Sequence, residues 1–586
     1  MDLLVLPSWV AARDDLTRAC AVAAITGFLS HVLYFVRGYR DMQAFGILIG
    51  HSLAYAGLTT AITTQTGISR GFLISTAVFA TYLFSLFTSI IIYRLFFHPL
   101  RHFPGPFAAK CTRFYGPWQA RNGQLHLEQE KLFKIYGNIV RVAPNELYIV
   151  SSDAIDKIHA SKSKCRKKDA GVYNALESKG QYNLDGILTR EEHRWRRQVW
   201  ERAMSSKQLA IYEDRTRQVC HTWLDTLKSL NGTPINTTLY SNLLTFDHMG
   251  KIGFSHEFST LQEGKHNDML DYLQQMFGPM GRLGELIWPL AILKGLGLKG
   301  LEAEFDRLAQ EMADRQCCLL ISPLSQDEKN HTNDMIGHFI EDFRSEKPTA
   351  FFNKHLIYLD SAMILLAATD TIGLVLSQFF YHLSANPSYQ STLLSLVTPL
   401  YGLTIPGEFT SADLATIPLI DAIINETLRL DNPVANNAAR LTPPEGIVVG
   451  DGTYIPGGVA VRVPGYVMHR SEQAFEMADK FIPGMFSPRE TYIHIYIYHT
   501  DCRTERWTTS PQLVKDPKAF FPFLTGPNNC VGKRLAMNVL RLVIAYTVMN
   551  YRFEHAPGED GTDVYAKMRD NLVLKPGPLM LVFVKR

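Results

Sequence analysis

The chain has 586 residues, 46% of them hydrophobic and 20% charged. That is enough apolar material for a large buried core and rules out a disordered or fibrous chain. A net charge of +3 gives no argument for a nucleic-acid partner, and the 8 scattered cysteines show neither CxxC nor zinc-ligand spacing. A disulfide framework is thereby disfavoured, and a reducing compartment fits better.

Three apolar stretches precede residue 100, at about 21–36, 44–62 and 71–97. A span needs about 20 apolar residues. The third stretch meets this easily, with Arg94 as its only charge, and the first two only marginally. Residues 1–103 therefore read as a membrane anchor with one to three hydrophobic helices. The alternative to three spans is one anchor with two membrane-associated helices. Residues 1–15 carry acidic side chains and lack a compact basic start, so a cleaved signal peptide fits poorly. Arg94, Arg101, Lys110 and Arg113 follow or close the third stretch, which puts the remainder of the chain in the cytosol. Four glycosylation sequons begin at Asn231, Asn236, Asn330 and Asn425. The last lies in a helical stretch where a glycan is hard to place, a difficulty that cytosolic orientation removes.

Phe103-Pro104-Gly105-Pro106 is a stiff breaker that can set the angle of a domain to a membrane. From there to the end, 104–586, there is neither a second linker nor an internal repeat. The patterns predict one mostly helical domain, with short strands at 139–150 and 447–463 and long helices at 356–383, 417–430 and 532–551.

Four segments of this domain carry chemistry. His193 and Arg197, four apart on a predicted helix, share a face, whereas Arg194 and Arg196 read as a solvated basic surface. Ala367-Ala368-Thr369-Asp370-Thr371 interrupts an apolar helix. Its small residues permit close approach of a cofactor, and its buried acid and hydroxyl need partners. That pairing suits proton delivery; the alternative is a threonine bonded back to its own helix beside a surface aspartate. Glu426 and Arg429 are three apart on one helix face. Finally, a loop rich in glycine, proline and asparagine, Phe523 to Gly532, delivers Cys530 to a helix start, where backbone N–H groups and the helix dipole favour a thiolate. The alternative is a buried structural cysteine in a turn.

In this order the segments resemble the motifs of the cytochrome P-450 superfamily of haem-thiolate monooxygenases. Residues 523–532 match FxxGxRxCxG, with Phe523, Gly526, Cys530 and Gly532 in place. The resemblance makes Cys530 the axial ligand of haem iron, Asp370 and Thr371 the proton-delivering pair of the family's (A/G)GxDT element, and Glu426 with Arg429 its bracing ExxR pair. Arg440, in Ala439-Arg440-Leu441-Thr442-Pro443, matches an arginine that reaches a haem propionate, as do His193 and Arg197 in the (Trp/His)xxxR element. Gly526 and Gly532 are expected to let the backbone approach the flat macrocycle. Two positions depart: Ala368 replaces the usual glycine, and Asn528 stands where a basic residue is usual, so other residues must offset the propionate charge.

The family's third brace is an arginine in a PERW-like motif. Here Phe481-Ile482-Pro483 opens it and Glu505-Arg506-Trp507 closes it, with 21 residues, 484–504, between. Removing them restores the motif, and codons for Gly484-Met485 and Thr504-Glu505 can carry intron-like GT and AG ends. The tract reads as a retained intron or as a surface loop, long for a compact domain. Either way the brace falls to Arg506.

The resemblance implies a mainly α fold with small β-sheets behind N-terminal transmembrane helices. It implies haem b, and electrons from NADPH through a membrane-bound reductase. The implied reaction inserts one atom of O2 into a lipophilic molecule, by analogy in the oxidative tailoring of a fungal natural product such as a terpenoid or indole alkaloid. The expected location is a membrane, that of the endoplasmic reticulum, with the catalytic domain in the cytosol. Met363, Val434, Ala435 and Asn436 are expected to face the substrate, and Lys515, Lys518, Lys533 and Arg534 to form a docking patch for an acidic reductase. The rival readings are a haem-thiolate isomerase or dehydratase, which needs no proton delivery to oxygen, and a non-catalytic haem- or lipid-binding membrane protein.

Overall fold

A computed structural model describes residues 13–168, 171, 173, 177–284, 286–297, 333–483, 506–508 and 510–586. The tract 484–504 lies outside the described residues. Three apolar helices come first: α1 (Arg13–Ser30), α2 (Ala44–Thr66) and α3 (Ile68–Ile92). α1 and α3 each continue through a wider turn, to Phe35 and Phe97. Together with those turns each is long and apolar enough to cross a membrane. They pack through a small core of Ala23, Ile62, Ile74 and Val78. Leu53, Leu73 and Phe84 point outward, 68–74% exposed. An apolar surface this continuous is unsuited to water.

The helices alternate in direction. The α1–α2 turn faces the larger domain, where Tyr39 meets Asn145 and Asp41 pairs with Arg113 at 2.5 Å. The α2–α3 turn, at Gly67, lies at the far end. The breaker after α3 is fastened by Arg141. Its backbone N–H donates to the Pro104 carbonyl at 2.7 Å, and its buried guanidinium donates to the carbonyls of Pro144 and Arg94.

The predicted strands form. β1 (Ile139–Ala143) and β2 (Glu146–Ile149) pair antiparallel, with Val140 opposite Tyr148. Short strands β3 (Arg166–Lys167), β4 (Arg440–Leu441) and β5 (Ala460–Arg462) complete a sheet of order β1-β2-β5-β4-β3. This register sets Lys167 beside Arg440. A hairpin of Ile447–Val449 and Thr453–Ile455 stands apart.

Helices carry the rest: α4 (Ser152–His159), α5 (Arg190–Ala203), α6 (Trp288–Gly295), α7 (Lys354–Ala385), α8 (Pro418–Leu430) and α9 (Lys533–Asn550), among others. The Asn353 side chain caps α7 by accepting from the Leu356 N–H, and Pro418 opens α8 where its missing N–H costs nothing. α7 is also long and apolar enough to span a membrane, but most of it is buried inside the domain. The helix Thr237–Phe254 lies so close along it that a Cβ on Gly373 would sit 2.6 Å from Asn242 Oδ1.

Candidate active site

The Cys530 loop is built by its own backbone. The Cys530 N–H donates to the Phe523 carbonyl at 2.9 Å, which closes the loop and turns the side chain into a large cavity. Gly532 then caps α9. The N–H groups of Gly532 and Lys533 address the sulfur, as a helix start should. Burial nevertheless pushes the thiol above its ordinary value, outweighing those N–H groups and the charges of Arg197 and Lys533. A cation at the sulfur would reverse this balance. Gly526 is required for a reason other than the one expected. Its φ is +71°, and a Cβ there would lie 2.0 Å from the His159 carbonyl at the end of α4, so it seats the loop on that helix. At Gly532 a Cβ would meet only Sγ, at 3.8 Å.

Beneath the loop lies the brace. Glu426 takes both N–H arms of Arg429 at 2.9 Å, the Trp507 indole at 2.9 Å, the Ile482 N–H at 2.8 Å and Arg506 Nε at 3.3 Å. Glu426, Arg429 and Arg506 are all fully buried. Arg429 also donates to the carbonyls of His469, Ala478 and Lys480. Burial alone would raise the Glu426 carboxyl, but Arg429, Arg506 and the Ile482 N–H together hold it below its ordinary value. The halves of the split motif, Ile482 and Arg506, thus converge on one carboxylate.

At one edge of the cavity the cations Arg440 and Lys167 stand near Asp185. Arg440 and Tyr173 line the cavity and meet at 2.5 Å. Lys167 and His193 are buried close by; burial, joined by its cationic neighbours, lowers His193 to about 4, and Lys167 falls to about 8. Arg197 does not line the cavity. It clamps the cysteine loop, donating to the backbone and side-chain carbonyls of Asn529 at 2.6 and 2.8 Å.

The middle of α7 lines the same cavity as Cys530. Ala367 and Thr371 line it. Thr371 Oγ1 donates back to the Ala367 carbonyl at 2.7 Å, while Asp370 is buried and paired with Lys575 at 3.6 Å. Burial raises the Asp370 carboxyl against the pull of Lys575 and His266. The expected acid and alcohol are therefore adjacent in sequence but engaged apart. Met363, Val434 and Asn436 line the cavity as expected. Ala435 does not: it is in the core, and its carbonyl accepts from the Tyr466 N–H.

The solvated reading of Arg196 is wrong. Its side chain is fully buried and pairs with Asp360 on α7 at 2.7 Å, while Arg194 is exposed as expected. Asp360 also accepts from the Leu184 N–H and the Trp200 indole. The signal was available: an acid in the apolar run of α7 is costly without a cation, and Arg196 is the partner. Sequence reasoning also missed Lys167, Tyr173 and Asp570. Asp570 lines the cavity, accepts from the Asn436 side chain at 2.8 Å and is raised by burial to about 6.

The donor set suits a flat iron macrocycle. One sulfur and a small-residue helix segment line one largely apolar cavity, with Arg440 and Lys167 at its edge. No group of three His, Cys, Asp or Glu side chains among the described residues forms a metal site of its own, so a single protein ligand fits an iron whose other ligands arrive with the cofactor. Comparison with known proteins agrees. The cytochrome P-450 family model matches residues 104–583. A cytochrome P-450 monooxygenase of Fusarium pseudograminearum is 32% identical, aligned over 96% of this chain and 97% of its own. One from Eupenicillium brefeldianum is 31% identical over 86% and 96%. The tryprostatin B 6-hydroxylase of Aspergillus fumigatus is 28% identical over 92% of each chain. The chain therefore belongs to the cytochrome P-450 monooxygenase family, whose prosthetic group is haem.

Proposed function

We propose that this protein inserts one oxygen atom from O2 into a lipophilic small molecule, as a tailoring step on a fungal natural product of the terpenoid or indole-alkaloid kind. The observation that carries the reading is that Cys530, Ala367 and Thr371 line one largely apolar cavity. Relatives named as monooxygenases support it, and one of them is named for hydroxylating tryprostatin B.

In this reading Cys530 would hold the haem iron through its sulfur, and the haem, when bound, would supply the oxygen chemistry that protein side chains lack. The N–H groups of Gly532 and Lys533 hold negative charge on Sγ. Glu426, Arg429 and Arg506 fix the floor under the loop. Arg440, with Lys167 beside it, offsets the propionates where Asn528 cannot, and His193, neutral when lowered to about 4, is left to hydrogen-bond them through its ring. Arg197 acts through the loop it clamps, and Phe523 and Gly526 shape the wall. Thr371 and Asp370 move protons, which requires Thr371 to turn from the Ala367 carbonyl towards the cavity.

Electrons come from NADPH through a membrane reductase. Lys515, Lys518, Lys533 and Arg534 are all exposed and suit its docking. The anchor, 1–103, crosses the membrane of the endoplasmic reticulum three times, with 104–586 in the cytosol; Arg37, Arg40 and Arg101 at the domain-facing end support that orientation. The test is the ferrous–CO difference spectrum of microsomes carrying the wild type and Cys530→Ser, with NADPH-dependent O2 uptake. A red-shifted thiolate band only in the wild type, with uptake, supports the reading; the same band from both variants overturns it.

A further inference from the structure

The anchor holds a second cavity that the reaction does not use. α3 packs against both α1 and α2, but α1 and α2 barely touch each other. The result is a slot floored by Val78, Phe79 and Tyr82 of α3. It runs from Ala19 to Phe35 along α1, about 24 Å at the helical rise, close to the length of an extended acyl chain. α2 turns Gly46 and Gly50 to the slot, and a Cβ on either would meet nothing within 4 Å. In membranes this GxxxG spacing usually seats a neighbouring helix; here the face is open. At the domain-facing end the slot finishes at Arg40, which stacks on the Tyr34 ring at 4.2 Å. Among the described residues its guanidinium makes two long bonds, 3.3 Å to Gln43 and 3.4 Å to the Tyr34 carbonyl. It thus keeps donors at the depth where lipid phosphates lie.

We propose that the slot binds an anionic membrane phospholipid, one acyl chain lying between α1 and α2 and the phosphate on Arg40. Length, apolar walls and a cation at one end match this occupant, and the surrounding bilayer supplies it. The next residue, Asp41, pairs with Arg113, which lines the active-site cavity. The bound lipid therefore steadies the joint between anchor and cavity mouth. The inference rests on the three-span reading.

The test uses the full chain in phosphatidylcholine vesicles containing a minor fraction of phosphatidylserine or phosphatidylcholine with a diazirine in the acyl chain. Crosslinks are mapped by mass spectrometry. Slot residues such as Ala23 and Ile47 should label more strongly than the outward Leu73 and Phe84, and about fivefold more with the serine lipid. Arg40→Gln should abolish that headgroup preference. Gly50→Phe should fill the slot and remove its labelling, whereas Leu53→Phe, outside the slot on the same helix, should not. Equal labelling of slot and outer face, or a slot protected in microsomes by a protein helix, overturns the site. Absence of acyl-chain labelling on Leu73 and Phe84 as well overturns the three-span reading itself.

Discussion

The two sides of the active-site cavity are built on opposite plans. On the cysteine side, Glu426 receives hydrogen bonds from four residues, and every charged member of the network is fully buried. On the α7 side, among the described residues, Thr371 bonds to its own helix turn and Asp370 pairs with Lys575 at 3.6 Å. The carboxyls titrate accordingly: Glu426 is held down, and Asp370 is pushed up by burial. On the proposed reading, a loop that holds the iron's ligand must not move, because its sulfur has to stay in one place. Groups proposed to pass protons must be free to exchange partners, so a tightly satisfied network there would be a trap.

The largest effect should come from breaking the rigid side. Glu426→Ala strands two buried guanidinium groups, and loss of one partner from a buried pair costs about 3–5 kcal/mol. The variant should fail to accumulate as a folded holoprotein, read as a missing CO band and a lost thermal transition. A variant with wild-type melting would remove the contrast. Its pH dependence has a definite sign. Because the folded Glu426 value is depressed, its contribution is full above the ordinary carboxyl value near 4.5 and is lost as pH falls through the lower folded value.

The α7 side should answer differently. Asp370→Asn should lower NADPH-dependent turnover by about a hundredfold and send more reducing equivalents to peroxide, with melting little changed. A variant that melts far lower but turns over normally would make Asp370 a structural residue.

Asp570 sharpens the comparison from within the cavity. Its folded value is raised, to about 6, so its stabilisation is full below the ordinary value near 3.8 and is lost as pH rises through about 6. Asp570→Asn should keep the bond from Asn436 and flatten that loss, on the order of 2–3 kcal/mol between pH 4 and 7. Denaturant titrations across that range measure it; an unchanged slope would show that another group titrates there.

The smallest effect is expected from the split in the brace. Ile482 and Arg506 both reach Glu426, so the chain leaves and rejoins the rigid side at one point. Deleting 484–504 should therefore leave the CO band intact and melting unchanged or slightly higher. Loss of the band on deletion would make the tract part of the fold, and a main transcript that keeps it would rule out a retained intron.

Much of this was legible without coordinates. Periodicity located α7, α8 and α9 to within two residues, because long apolar patterns bounded by Asn353, Pro418 and Gly532 leave few choices. Motif spacing brought Cys530, the ExxR pair and Arg506 together, since those positions are fixed by one loop and one helix face. What spacing cannot carry is the direction of a side chain whose partner is distant in sequence. Arg196 and Arg197 are neighbours on α5, yet one is buried on Asp360 and the other clamps Asn529. Lys167 meets Arg440 only because two short strands align. Asp370 finds Lys575 about two hundred residues away. The sequence by itself determined the fold class, the family and the residue that presents sulfur, because these follow from local pattern and fixed spacing. Only the tertiary structure decided which charges are buried, with whom they pair and where the cavity ends, because burial and pairing are set by contacts between segments that the sequence keeps far apart.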